Sequence, residues 1–354
     1  MRKIFLNILL LVNLILALAL IVAYLSVYIP PDKYWIPSLF GMAYPFLLAG
    51  NLLFIVFWIL FKPRYTLLSL VIIVVGWGYF SRFMQFKGKS SDEANIKVVS
   101  YNVKHFVADT SGTQKENAKK IISFLAGQNA DIICLQEARL RKNSIFNLAQ
   151  TVKDLESIKH YQFARSSTTY GSVTMTRYAI INMGEIRFED SRNITIYTDV
   201  LIDADTVRIF NVHLQSYHID PEKYDIIDSP GINQEKDLEE VKEMSAKFKE
   251  AFQLRAAQVR EIRKYIDESP YNVILCGDFN DTPASFSYRK LSSGLNDAFV
   301  KSGKGIGRTY IGKLPSFRID YILHGNGFES YDFQTLDYRM SDHLPISCNL
   351  LKRD

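Results

Sequence analysis

The chain has 354 residues, 48% of them hydrophobic, with 42 Lys or Arg, 37 Asp or Glu and three Cys. That length exceeds the usual single domain, and Cys134, Cys276 and Cys348, each inside an apolar strand-like run, imply buried thiols and no disulfide framework. The net charge of +5 is uneven: residues 1–90 carry eight Lys or Arg against one acid, Asp32, so the remainder stands at −2, which argues against a strongly basic nucleic-acid surface.

From Ile4 to Ile29, and again from Ser38 to Phe61, the side chains are almost all apolar, and each run is long enough to cross a hydrocarbon core of about 30 Å as a helix. A third run, Tyr65 to Phe80, is shorter, but Trp77 and Tyr79 suit an interfacial belt and Arg82 can snorkel. Three transmembrane helices are therefore expected, about 4–29, 38–61 and 65–80, within a membrane region of residues 1–86. The first run is too long for the hydrophobic core of a signal peptide and lacks a small-residue cleavage site, so it is expected to be retained. With Arg2 and Lys3 inside, the KPR loop at 62–64 returns to the cytoplasm and a third span places the rest outside, on the periplasmic side. The reading is a multi-pass membrane protein with the lipid bilayer as partner; no protein partner can be inferred.

Residues 87–95, KGKSSDEAN, form a polar linker, and a catalytic domain is expected over 96–354. There short apolar runs alternate with helical spacing: strands at 96–103, 131–136, 172–176, 180–188, 194–202, 206–214, 272–276, 318–323 and 345–350, and a helix around Ala118, Ile121, Ile122 and Leu125. Over 234–267, Leu238, Val241, Met244, Phe248, Phe252, Val259, Ile262 and Ile266 define one face of a long helix. Mixed strands and helices indicate an α/β or α+β domain of layered sheets with helices outside.

Polar groups interrupt these strands at their ends. Asn102 closes VVSYNV, Glu137 closes DIICLQE, Asn211 and His213 lie in RIFNVHLQS, and Asp278 and Asn280 close NVILCGDFN. Asp320 falls inside RIDYIL, and Asp342 and His343 precede the last apolar run. Singly, each has an ordinary explanation as a cap, a turn or a satisfied core residue. A carboxylate within an apolar strand is harder to explain that way, because burying it unpaired is expensive. Convergence of these groups on one pocket accounts for all of them. Glu137 and Asp342 are hard oxygen ligands suited to Mg²⁺, and the lack of a Cys/His cluster at ligand spacing argues against zinc. His213 and His343 can donate to a phosphate, Asp320 can orient an imidazole, and Asp278 can take a proton from water held by Asn280.

The motifs SYNV, LQE, NVHLQS, GDFNDTP, RIDYI and SDHLP, in this order, resemble those of the endonuclease/exonuclease/phosphatase family, over about residues 95–352. The resemblance implies a four-layer sandwich, two β-sheets face to face with helices on both outer sides, and an Mg²⁺ or Mn²⁺ site at one edge. By motif, Asn102 and Glu137 would support and ligate the metal and Asp342 would join its shell. His213 would contact the phosphate, Asp278 would orient or deprotonate the attacking water, Asn280 would stabilise the transition state, and His343, paired with Asp320, would bind the scissile phosphate. The chain departs from the pattern at Lys104, where some nuclease members carry an acid, and in GSVTMTRYAI, where Thr176 and Ala179 replace Ser and Pro and Gly171 is retained.

The expected activity is Mg²⁺-dependent hydrolysis of a phosphodiester or phosphomonoester by in-line attack of water. The near-neutral domain and the acidic, apolar segment 217–231 argue against a nuclease and favour a phosphoester near a membrane, such as a lipid headgroup; the substrate partner is a lipid headgroup, a nucleic acid or an inositol phosphate. A membrane-tethered nuclease is the alternative, and a non-catalytic binding module on the same fold a further one, although none of Glu137, Asp278, Asn280, Asp342 or His343 is missing.

Overall fold

The computed structural model describes every residue except 109–111, 140–144, 167–168, 218–233, 313–316 and 354; over 234–238 only the backbone is described. The segment 217–231 thus falls, apart from Tyr217, outside the described residues, as does the Leu238 side chain.

Five helices open the chain: α1 (Arg2–Ser26), α2 (Ile36–Met42), α3 (Tyr44–Phe61), α4 (Thr66–Val75) and α5 (Trp77–Phe80). Helices α1 and α3, of 25 and 18 residues, are long and apolar enough to cross a membrane; at 1.5 Å per residue they span roughly 37 and 27 Å. The third apolar run is not one continuous helix: it breaks at Gly76 into ten and four residues. Helix α4 nonetheless belongs to the bundle through a buried polar network. Asn13 Nδ2 donates to Ser69 Oγ (2.8 Å), Ser69 Oγ to Asn51 Oδ1 (2.9 Å) and Trp58 Nε1 to Asn13 Oδ1 (2.9 Å). Such bonds join helices where apolar surroundings offer no other partner.

After β1 (Met84–Gln85) come β2 (Ile96–Asn102), α6 (Gln114–Gln128), β3 (Ile132–Arg139), α7 (Leu148–Asp154), β4 (His160–Arg165), β5 (Tyr170–Thr176), β6 (Ala179–Arg187), β7 (Ile194–Ile202) and β8 (Asp205–His213). Then follow α8 (Gln234–Asp267), β9 (Asn272–Asp278), α9 (Phe286–Leu291), β10 (Asn296–Asp297), α10 (Ala298–Ser302), β11 (Gly305–Ile306), β12 (Asp320–His324), β13 (Phe328–Thr335) and β14 (Ile346–Lys352). Two six-stranded sheets form, ordered β10-β12-β9-β8-β7-β6 and β13-β14-β2-β3-β5-β4. They pack face to face through Val98, Cys134, Ile209, Ile274, Cys276, Ile346 and Cys348, so all three thiols are core groups. Alternate residues point outward: Val99, Ile133 and Leu135 cluster with Ile121 and Leu125 of α6, and Leu275 and Phe210 cluster with Val259 and Ile262 of α8. Strands covered on both faces need apolar side chains at successive positions, which is why these strands read as continuous hydrophobic runs.

Helix α6 starts at a capping box between Thr113 and Glu116. The expected α8 face is covered unevenly: Phe252, Val259, Ile262 and Ile266 are buried, Met244 and Phe248 are half-buried, with Phe248 against Tyr217 and Phe252, and Val241 is exposed.

Among the described residues two strand pairs are parallel, β2/β3 and β8/β9, and each has a helix, α6 and α8, between its strands in the chain. Their carboxyl ends, Asn102 beside Gln136 and His213 beside Asp278, come out at one edge of the sandwich. Beneath them Gln136 Nε2 donates to Asn211 Oδ1 (2.8 Å), and Asn211 Nδ2 donates to Val173 O (2.8 Å), tying one sheet to the other.

Candidate active site

Asp320 is not mid-strand. It opens β12 directly opposite Asp278, because Thr309 Oγ1 accepts the backbone N–H groups of Ile319 and Asp320 (3.0 and 3.1 Å) and holds the preceding residues outside the ladder. The same edge receives Ser341, Asp342 and His343 just before β14. All eight sequence-predicted groups, Asn102, Glu137, His213, Asp278, Asn280, Asp320, Asp342 and His343, therefore lie at this one rim.

Asp278 is at the centre. Its Oδ1 accepts Asn280 N–H (2.7 Å), and its Oδ2 accepts Asn102 Nδ2 (2.9 Å) and Asn280 Nδ2 (3.1 Å). Asn280 adopts φ 50°, a left-handed turn that swings its amide back over the carboxylate, and also donates to Leu214 O (2.9 Å). Both bonds of its side-chain nitrogen are thus committed to positioning. Asp281, next in the chain, turns away: its Oδ2 lies 3.3 Å from the buried Arg255 and accepts Ser287 Oγ at 2.8 Å, anchoring the loop to α8.

His343 Nδ1 faces both oxygens of Asp320 (3.0 and 3.2 Å), and its Nε2 lies 3.7 Å from Asp278 Oδ2. Burial alone would lower its pKa, but the Asp320 and Asp278 carboxylates push it up to about 10. Burial raises the pKa of Asp278, and Asp320 adds to this against the opposing pull of His343 and His213. Among the described residues, Asp278, Asp320 and His343 form a group whose ligand atoms lie within 4.8 Å of one another. In that group one imidazole already stands between two carboxylates, His343 Nδ1 on Asp320 and Nε2 towards Asp278, so its polar atoms face one another.

Glu137 and Asp342 differ, being partly open to the cavity at the rim, with side-chain exposures of 21% and 18%. Glu137 sits at an irregularity of β3 between Leu135 and Ala138 and has φ 53°, so the strand is locally turned to aim its carboxylate into the site. Against it stand His105 Nε2 (3.1 Å), His213 Nε2 (3.3 Å) and Asn102 Nδ2 (3.3 Å); Asp342 Oδ2 meets Lys104 Nζ at 3.0 Å. Burial would raise the pKa of Glu137, but His213, His105 and Asn102 hold it down at about 2. Asn102 Oδ1 accepts Lys104 N–H (3.0 Å), so its amide braces Glu137 and Asp278 through nitrogen. The buried His213 Nε2 faces Glu137 Oε1 at 3.3 Å and Asp278 Oδ2 at 4.0 Å, so it is aimed into the rim, where a phosphate oxygen can accept from it.

Lys104 and His105 were not among the expected site residues, and their backbone is the clearest irregularity at the rim. Lys104, His105 and Phe106 run consecutively at φ 42°, 54° and 60°, with Phe106 fully buried as the anchor. Left-handed backbone in three successive non-glycine residues is costly and persists only where packing enforces it. The one available signal was the Lys-His pair placed directly after Asn102 and Val103.

The donor set fits a hard divalent cation. Glu137 and Asp342 are the carboxylates open to the cavity, Asn102 braces Glu137, Lys104 meets Asp342, and all three thiols are buried in the core.

Residues 99–343 match the endonuclease/exonuclease/phosphatase family, and residues 3–83 match a domain of unknown function. No curated protein matches the chain significantly. Solved structures with the same fold include an endonuclease/exonuclease/phosphatase from Beutenbergia cavernae, 16% identical over 73% of this chain and 72% of that one, with a TM-score of 0.55. A family protein from Leptotrichia buccalis is 16% identical over 73% of this chain and all of that one (TM-score 0.52). A 3'-5' exonuclease from Neisseria meningitidis is 19% identical over 73% and 100% (TM-score 0.51).

Proposed function

We propose, from the premise that this chain belongs to the endonuclease/exonuclease/phosphatase family and is a metal-dependent hydrolase of phosphate esters, that it is a membrane-anchored phosphoesterase acting on a lipid headgroup. The observation that carries the reading is the placement of the rim against the membrane helices. Ser26 Oγ of α1 donates to Ala284 O (3.3 Å), Thr282 Oγ1 donates to Gly41 O (3.4 Å) and Arg82 Nη1 to Pro283 O (3.3 Å). These contacts fall within a few residues of Asp278 and Asn280.

Glu137, braced by Asn102, and Asp342 are the residues that would hold Mg²⁺ or Mn²⁺, which when bound would neutralise charge developing on the phosphate oxygens. Asp278, fixed by three hydrogen bonds, takes the proton of the attacking water. Asn280 keeps that carboxylate and the water in line. His213 Nε2 and His343 donate to the phosphate, and Asp320 holds the His343 ring through Nδ1. Little else is required of the protein, because phosphoryl transfer is accelerated mainly by positioning and charge stabilisation. The test is hydrolysis by the full chain across DNA, RNA, inositol phosphates and headgroup phosphoesters with Mg²⁺. We expect headgroup esters to be cleaved, EDTA to stop the reaction and Mn²⁺ to restore it. Metal-independent turnover, or none on any phosphoester, overturns the reading.

The same contacts support a topology. Helices α1 and α3 run antiparallel, and the catalytic domain touches Ser26, Asp32 and Gly41 at one end, opposite to Arg2, Lys3, Lys62 and Arg64. With those four cations cytoplasmic, the domain lies on the outer, periplasmic face, and the chain through α4 and α5 makes the return crossing. A C-terminal reporter that works only outside the cytoplasm is expected to be active. Activity of a cytoplasm-restricted reporter instead would reverse the orientation.

A further inference from the structure

The catalytic rim lies between two cavities of opposite character, both of which reach Glu137 and His105. One, of about 410 Å³, has Asn280, Asp342 and His343 on its floor and, as its wall, Met42, Ala43 and Phe46 from the α2–α3 corner together with Phe317 and Ile319. Phe46 and Phe317 meet edge to face, ring centroids 6.3 Å apart, so the membrane region and the catalytic domain close that wall jointly. The other, of about 450 Å³, is polar: beyond His213 it is lined by Tyr170, Arg192, Asn193, Gln215 and Glu250. Phe46 is 58% exposed near the start of α3, and that helix continues into an outward apolar face at Leu53, Val56 and Leu60. The apolar cavity is thereby continuous with a surface suited to acyl chains.

Resting on the phosphoesterase reading above, we propose that the membrane helices complete the substrate site. The substrate class is a bilayer lipid carrying a phosphodiester-linked polar headgroup. Its hydrocarbon end lies against Met42, Phe46 and Phe317, its phosphate at Glu137 and His343, and its headgroup in the Arg192–Asn193 cavity. Two cavities flanking one phosphate fit a diester, with a substituent on each side; a monoester would leave one of them unused. The step balances as a hydrolysis: the water oxygen bonds to phosphorus, one P–O ester bond breaks, and the departing oxygen gains a proton. The products are a phosphomonoester and an alcohol.

The test uses the full chain with Mg²⁺ and butyl, octyl and dodecyl p-nitrophenyl phosphate, each below its micelle-forming concentration. We expect kcat/KM to rise by about tenfold or more from butyl to dodecyl, chiefly through KM, since each buried methylene adds binding. In Phe46→Ser and Phe317→Ser most of that gain should vanish, whereas Leu11→Ala, at an exposed position of α1 away from the cavity wall, should keep it. A flat chain-length profile in the unmodified chain overturns this inference and leaves the phosphoesterase reading standing. So does a gain that survives in both Phe variants, or plasmid DNA cleaved faster than the dodecyl ester. If no phosphoester is cleaved at all, both fall. Should the variants fail to fold, the profile of the unmodified chain decides alone.

Discussion

Asp278→Asn should lower the hydrolysis rate by about 10²–10⁴-fold, the range over which a positioned general base contributes. The loss should appear in kcat with little change in KM, because Asp278 faces the water and not the remote parts of the substrate. The geometry makes this a clean substitution. Asp278 is fully buried and its two oxygens accept from Asn280 N–H, Asn280 Nδ2 and Asn102 Nδ2. Asparagine keeps the shape and one acceptor but sets its NH₂ against a donor, at a cost of about 1–3 kcal/mol for the group left unsatisfied. Removing the charge ends the penalty of burying it and the repulsion from Asp320, its partner across the β9–β12 ladder, and forfeits the attraction of His343 and His213, so part of that cost is returned. The variant should remain folded. Steady-state kinetics beside a thermal melt check both halves, and a rate loss smaller than about tenfold would take Asp278 out of water activation.

The same residue shows what a sequence conveys about a site and what it withholds. Asp278 and Asn280 stood out because a continuous apolar run stops on them, and that run exists because β9 is covered by the second sheet on one face and by α8 on the other. The edge strands β4 and β13 gave no such signal: each has an edge position, partly exposed, and polar residues such as Gln162, Glu329 and Asp332 dilute the pattern. The RIDYIL pattern sets Asp320 two positions too deep in its strand, because the hydroxyl that starts β12 comes from Thr309, eleven residues upstream. The left-handed run at Lys104–Phe106 has no composition of its own; tertiary packing of Phe106 imposes it. Least legible of all was the wall of the apolar cavity. Ser26 and Ala284 are 258 positions apart, and nothing in the periodicity of α1 says that its end meets the loop after Asp278. Periodicity records which face of an element is covered, not what covers it.

Gly277→Ala should cost at least about 3 kcal/mol, combining backbone strain with overpacking. Gly277 has φ 142°, a conformation that side-chain-bearing residues rarely adopt, and a Cβ there would stand 1.9 Å from Val212 O and 2.8 Å from Val212 N. Those atoms are backbone of β8, paired in register with β9, so no rotamer change can make room. The ladder itself must open, between the strands that deliver His213 and Asp278. Stability and activity should therefore fall together, unlike in Asp278→Asn, where activity falls and the fold holds. Gly294→Ala supplies the comparison: its φ is also positive, 73°, but nothing lies within 4 Å of the added carbon. Only the conformational term remains there, about 1 kcal/mol. Melting temperatures of the two variants measure the difference. Near-equal losses would mean that conformation alone accounts for Gly277, and that the close approach of the two central parallel strands is not what demands glycine immediately before the catalytic carboxylate.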